Sequence, residues 1–146
     1  MNIDEIAPDD PRLPAVFEVM KELRTHLDLE QFRAGYENAV PEGYRVAAVF
    51  EGDECRAVAG YRLMHNLVSG HHIYVDDLVT GEQWRSHGYG RALNDYIVEV
   101  AEREGCGSVQ LDSATYRREA HRFYFRERYA VWSFHFVRPL ESGPAQ

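Results

Sequence analysis

Cysteine is scarce: the 146-residue chain carries two, Cys55 and Cys106, at a spacing that suits neither a metal site nor a redox pair. Free thiols in a reducing compartment are expected rather than a disulfide. Long apolar runs are missing as well. Val46 to Phe50, among the longest, falls far short of the ~20 residues a membrane-spanning helix needs. Met1-Asn2-Ile3-Asp4 lacks the basic region and apolar core of a signal peptide, so a cytoplasmic protein without a membrane partner is expected. Positive charge is in deficit, with 16 Lys and Arg against 24 Asp and Glu and a net charge of −8. That balance argues against a nucleic-acid partner and would concentrate cationic substrates if the acids line a cleft. Repeats and low-complexity linkers are absent. With 45% hydrophobic and 27% charged residues the chain has enough apolar material for one domain over 1–146, with 141–146 as a loose tail.

What is present follows an ordered pattern. Asp10-Pro11 offers a helix cap, and Ala15, Phe17, Val19, Met20 and Leu23 continue it as a first helix. Leu29 to Ala39 reads as a second. After the break at Pro41 and Gly43, three strands are expected at Tyr44 to Phe50, Cys55 to Met64 and His71 to Thr80, the first two joined by a turn at Glu51-Gly52-Asp53-Glu54. Asn2 to Ala7 adds an edge strand. Ala92, Leu93, Tyr96, Ile97, Val100 and Ala101 repeat at helical spacing between Arg91 and Glu104. Gly107 to Asp112 then reads as a strand, Tyr116 to Arg128 as a helix, and Ala130 to Arg138, rich in Val, Trp and Phe, as a final strand. This order predicts an α/β or α+β fold: one central mixed, mostly antiparallel sheet flanked by about four helices.

The densest chemical signal is Arg85-Ser86-His87-Gly88-Tyr89-Gly90, placed between a strand and a helix. Glycines there let backbone N–H groups turn inward at a helix N-terminus, whose partial positive charge favours a pyrophosphate, and Arg85 and Arg91 add charge. The Gly-Lys-Ser/Thr ending of a P-loop and the third glycine of a dinucleotide fingerprint are both missing. The segment resembles instead the Arg-x-x-Gly-x-Gly acyl-CoA loop of the GNAT superfamily of N-acetyltransferases. Ala120-His121-Arg122-Phe123-Tyr124, followed by Tyr129, is similar to the Ala-x-x-Phe-Tyr segment of the same superfamily. The likeness runs from about His71 to Leu140. Two positions depart from the pattern: Ser86 stands where a glycine is common, and Arg128 where a glycine usually precedes the last aromatic residue.

The resemblance implies transfer of an acetyl group from acetyl-CoA, as co-substrate, to a small-molecule primary amine by direct attack in a ternary complex. It also leaves open acetylation of a protein lysine or N-terminus, and a non-catalytic acyl-CoA sensor. It implies that Leu78, Val79, Thr80, Arg85, Ser86, His87, Gly88, Tyr89, Gly90 and Arg91 hold the cofactor, with N–H groups near Leu78 and Val79 as donors to the developing oxyanion. Tyr124 is implied as the acid that protonates the leaving thiolate. A phenol near pKa 10 giving its proton to a thiolate near 8.5 climbs roughly 2 kcal/mol, so Tyr124 requires concerted cleavage or a nearby cation.

The base candidates are Asp76 and Asp77, which interrupt an apolar strand. Regular alternation puts them on opposite faces, Asp77 with Ile73, Val75 and Val79, and Asp76 with Tyr74 and Leu78. Asp77 matches the position where superfamily members often carry glutamate and is preferred. An aspartate near pKa 3.9 is a weak base for an ammonium, which points to a water relay, a raised pKa or electrostatic attraction. The resemblance also implies acceptor contacts from Glu30, Arg33 and Tyr36. The His-Arg-Phe-Tyr helix and Phe-His-Phe ending are similar to those of aminoalkylphosphonate N-acetyltransferases, some of which use divalent metals. No metal is expected here, because adjacent His71 and His72 point to opposite faces of a strand and His65 stands apart. Trp84 and Trp132 are read as packing residues, and the exposed sheet edges leave room for a homodimer.

Overall fold

A computed structural model describes residues 1–143, which divide into two compact units, 1–111 and 112 onward. The first unit holds a five-stranded sheet ordered β1-β2-β3-β4-β5: β1 (Asn2–Glu5), β2 (Tyr44–Glu51), β3 (Glu54–Asn66), β4 (Gly70–Thr80) and β5 (Val109–Leu111). The first three pairings are antiparallel and β4–β5 is parallel, the mixed sheet expected. Helices α1 (Leu13–Leu23), α2 (Leu29–Ala39) and α3 (Tyr89–Arg103) complete the unit.

Alternation along β2 divides the apolar residues between two cores. Val46, Ala48 and Phe50 face Leu13, Val16, Phe17 and Met20 of α1 and Phe32 and Tyr36 of α2. Ala47 and Val49 face Leu93, Ile97, Val100 and Ala101 of α3. Full burial of each Leu93- or Ile97-sized side chain stabilises by ~1.5–3 kcal/mol, so these two cores clamp the sheet between helix layers. Cys55 is buried in the first core, and burial pushes its thiol up to about 12.

Helix α2 starts on a capping box: the Asp28 carboxylate accepts from the Gln31 N–H at 2.8 Å, and the Gln31 side chain accepts from the Asp28 N–H at 2.9 Å. The first helix begins later than the Asp10-Pro11 reading places it. Its N-cap is Arg12, with Pro14 in the first turn, and no side chain caps it. Asp10 turns to Arg12 instead, accepting from its backbone N–H at 2.8 Å and its Nη2 at 3.0 Å.

Two bulges interrupt the ladders. Between β2 and β3 the pairing steps from Val49–Ala57 to Phe50–Cys55, which leaves Arg56 as the extra residue. Between β3 and β4 it steps from Gly60–Asp77 to Tyr61–Val75, which leaves Asp76 as the extra residue. A bulged residue re-aims its side chain and shifts the phase of its strand. The consequence on β4 is direct. Ile73 and Val75 pack into the α3 core, yet Asp77 and Val79 lie on the α1–α2 side, and Leu78 returns to the α3 side. The unbulged alternation expected from the sequence is therefore wrong across Asp76.

The second unit carries α4 (Arg118–Arg126). Beyond it, residues 130–140 form no regular secondary structure, so the expected final strand from Ala130 to Arg138 is not formed. Trp132, Phe134 and Phe136 are exposed. Strand-forming side chains do not make a strand without a hydrogen-bonded partner, and the described sheet ends at β5.

Candidate active site

At the bulge two side chains meet Asp77 and a third meets Asp76. The Arg24 Nε donates to Asp77 Oδ1 at 2.8 Å, and the Tyr44 hydroxyl donates to Oδ2 at 2.6 Å. Both oxygens of this buried carboxylate are thus engaged. Arg24 also donates through Nη2 to the Asp76 backbone carbonyl at 2.8 Å, tying the end of α1 to the bulge. On Asp76 the contact is single: Arg62 Nη2 donates to Oδ1 at 2.9 Å. Burial raises the Asp76 carboxyl above the ordinary aspartate range, outweighing the Arg62 hydrogen bond and charge that pull it down. Burial, and then the negative Asp77 beside it, push the Tyr44 phenol far up, so it stays protonated and able to donate.

Asp76 and Asp77, expected on opposite faces, are therefore brought to one face. The partners Arg24, Tyr44 and Arg62 were not legible as site residues. Gly60 was the available signal, since an isolated glycine inside a strand marks a bulge or a close approach. Of the acceptor residues expected on α2, Glu30 is exposed and Arg33 half-buried. Tyr36 is buried, with its hydroxyl donated to the Ile6 carbonyl and its ring edge-on to Tyr44 at 5.4 Å. It packs beneath the cluster and offers no free surface to an acceptor.

At the far end of β4 the parallel ladder with β5 covers only Ile73 to Val75. Leu78, Val79 and Thr80 lie past it, paired on their other side with Ala59, Val58 and Ala57. A single 3₁₀ turn, Glu82–Trp84, leads into the glycine loop. Ser86 and Gly88 take left-handed backbone conformations, φ 65° and 85°, and α3 begins at Tyr89 with Gly88 as its N-cap. No side chain caps this helix, and a Cβ built on Gly88 would meet nothing within 4 Å. His87 bonds back through Nδ1 to the carbonyls of Trp84 and Arg85, at 3.0 and 2.8 Å, and stacks on Tyr89. The result is an exposed helix N-terminus whose first N–H groups are not consumed by a side-chain cap, in line with an anion cradle. Arg56, the other bulged residue, lays its guanidinium 3.3 Å from the centre of the Trp84 ring and accepts the Gly81 N–H on its carbonyl. It fixes the approach to the loop, a role no motif announced.

Tyr124 lies on α4 of the second unit, half-buried, with its ring edge-on to Phe123 and Tyr129 at 5.5 and 5.6 Å. Burial raises its phenol, and the positive charge of Arg117 partly offsets this. Arg128 takes the left-handed conformation, φ 70°, and the Tyr129 N–H closes on the Tyr124 carbonyl at 2.9 Å. The helix therefore ends in a glycine-type cap without glycine. Among the described residues no three His, Cys, Asp or Glu are placed to hold a metal ion, and no helix is long and apolar enough to cross a membrane.

Comparison with known proteins bears on family and fold. The family model described as acetyltransferase (GNAT) family matches residues 8–128. A Bacillus subtilis protein described as an uncharacterized N-acetyltransferase, YhdJ, is 36% identical over 126 residues, covering 85% of this chain and 89% of its own. The aminoalkylphosphonate N-acetyltransferase of Salmonella typhimurium is 29% identical over 124 residues, covering 81% and 78%. Among solved structures, an aminoglycoside N-acetyltransferase in complex with CoA superposes with a TM-score of 0.83 at 11% identity, over 96% of this chain and 95% of its own. A Trypanosoma brucei acetyltransferase gives 0.77 at 17% over 95% and 99%, a likeness of fold.

Proposed function

The chain belongs to the acetyltransferase (GNAT) family, and from that premise we propose that it transfers an acetyl group from acetyl-CoA to the primary amine of a small molecule by direct attack in a ternary complex. The observation that carries this reading is the division of labour between the two aspartates. On Asp77 both oxygens accept, from Arg24 and Tyr44, whereas on Asp76 only Oδ1 accepts a hydrogen bond among the described residues. Asp76 is thus the carboxylate left to meet an ammonium group, in preference to Asp77.

An alkylammonium with pKa about 10.4 exists as free amine at a level of about one part in 2,500 at pH 7. A carboxylate cannot deprotonate it efficiently by itself. What Asp76 contributes is attraction for the ammonium and a resting place for its proton, directly or through water, and the raised carboxyl suits that second task better than an ordinary aspartate would. Bound acetyl-CoA supplies the activated acetyl group. The loop from Arg85 to Arg91 would hold its pyrophosphate at the start of α3, with Leu78 to Thr80 offering backbone groups beside the thioester. Tyr124 is the proton donor for the leaving sulfur; burial raises its phenol and Arg117 offsets only part of that, so donation must be concerted with cleavage of the thioester. Cys55, buried and raised to about 12, is no thiolate at neutral pH, and Cys106 is also raised by burial. Neither suits a covalent acetyl-enzyme, which supports direct transfer.

The test is thiol release from acetyl-CoA with a panel of 2-aminoethylphosphonate, an aminoglycoside and a lysine peptide, using wild type and Asp76→Asn. Turnover of a free amine that falls at least a hundredfold in Asp76→Asn, with an undiminished thermal shift from acetyl-CoA, is expected. Turnover of the peptide alone would replace the small-molecule reading, and an Asp76→Asn enzyme of unchanged rate would remove the role given to Asp76. A shift of Tm by acetyl-CoA with no turnover of any amine would point to a sensor.

A further inference from the structure

Position 60 is opposite Asp77 in the β3–β4 ladder and opposite Val46 in the β2–β3 ladder. Tyr44, two residues before Val46 on β2, must reach over β3 to touch Asp77 on β4. It can do so because residue 60 has no side chain. A Cβ there would fall well inside contact distance of both the Tyr44 hydroxyl and Asp77 Oδ2. The backbone at Gly60 is not in the left-handed region, so the absence of a side chain is a matter of space.

We infer that Gly60 and Tyr44 are positioning residues for the acceptor side of the active site: the gap at Gly60 admits the Tyr44 hydroxyl to Asp77, and the bond so formed, with Arg24, locks the bulge that aims Asp76. This rests on the role proposed above for Asp76. Asp77 is held from two directions, by Tyr44 from β2 and by Arg24 from the end of α1, and Arg24 spends a further donor on the Asp76 carbonyl. With Arg62 of β3 on Asp76, three separate elements converge on two successive residues of β4. A bulged strand has fewer ladder bonds to fix its backbone, and here side-chain bonds replace them. Asp77 thereby acquires a function that is structural for its neighbour rather than chemical.

The experiment is a double-mutant cycle of Tyr44→Phe and Gly60→Ala in the full chain, with 2-aminoethylphosphonate, or whichever amine of the panel turns over faster, as acceptor. Displacement of a reacting group by about 1 Å costs ~100-fold. Tyr44→Phe is expected to lower kcat by ~10- to 100-fold with the KM for acetyl-CoA within about twofold of wild type. Gly60→Ala is expected to act through the same bond, so the double variant should be little slower than the slower single one. Wild-type kcat in Tyr44→Phe, or losses that multiply, would overturn the inference. If Gly60→Ala fails to fold, Tyr44→Phe decides alone, because it deletes a single oxygen. An inactive Asp76→Asn beside a fully active Tyr44→Phe would sink this inference alone, whereas a fully active Asp76→Asn would sink it together with the reading of Asp76.

Discussion

Arg62 and Asp76 form an ion pair of 2.9 Å in which burial of the acid outweighs the pull of the base. Arg62 nevertheless holds the Asp76 carboxyl below where burial alone would set it, with Asp77 pushing it up and Arg24 pulling it down.

Replacing Arg62 by Met should therefore raise the Asp76 carboxyl further, since the guanidinium hydrogen bond and charge that pull it down are lost. On the role proposed for Asp76, the acid limb of kcat/KM should move to higher pH in this variant. Stability carries the same sign. The folded chain keeps this proton to higher pH than the unfolded chain, so Asp76 costs stability increasingly as pH rises through the window above the ordinary aspartate range. Urea unfolding of wild type and Asp76→Asn across pH 3–7 should show the difference growing in that direction.

Ser86 and Arg128 occupy left-handed backbone, where a Cβ costs ~1–2 kcal/mol. Glycine at either place removes that strain but gains freedom in the unfolded chain. The net expectation is stabilisation by ~0.5–1 kcal/mol for Ser86→Gly and for Arg128→Gly, a rise of a few degrees in Tm by calorimetry. Unchanged or lower Tm in both would mean that the two segments relax when alone in solution.

Asp28→Ala breaks both bonds of the α2 capping box and should cost about 1 kcal/mol, seen as a lower urea midpoint at constant m. Because the box is exposed and neither Asp28 nor Gln31 bonds to Asp76 or Asp77, kcat at 25 °C should stay at the wild-type value.

Tyr124→Phe should keep its Tm and its thermal shift with acetyl-CoA while losing ~10²-fold in kcat, the usual worth of a positioned general acid. Full turnover in a folded Tyr124→Phe enzyme would free the leaving thiolate from any need for this phenol.

Most of the element order was legible because hydrophobic period is strong where both faces of a strand or one stripe of a helix are buried, as in β2 and α3. The glycine loop was legible too, since Gly88 must adopt a positive φ to start α3. The acceptor side was not. Asp76 lies at a bulge, and a bulge changes phase without changing composition, so counting by twos assigns Asp77 to the wrong face. The side chains that complete the cluster, Arg24, Tyr44 and Arg62, come from three elements far apart in sequence, and nothing local ties them together. The segment from Ala130 to Arg138 failed for another reason: its residues favour a pleated surface, but a strand exists only against a partner. At Asp10, a side chain suited to capping found a stronger partner in the Arg12 guanidinium.

The stack of Arg56 on Trp84 has an optical consequence. The chain has two tryptophans, and each belongs to a different compact unit. Trp132, 92% exposed, should emit as an indole in water, whereas Trp84, partly covered by a guanidinium at the edge of the glycine loop, should emit further to the blue and be partly quenched. Each unit thus carries its own native fluorophore, and the acetyl-CoA binding proposed at the start of α3 should register in the Trp84 component without any label.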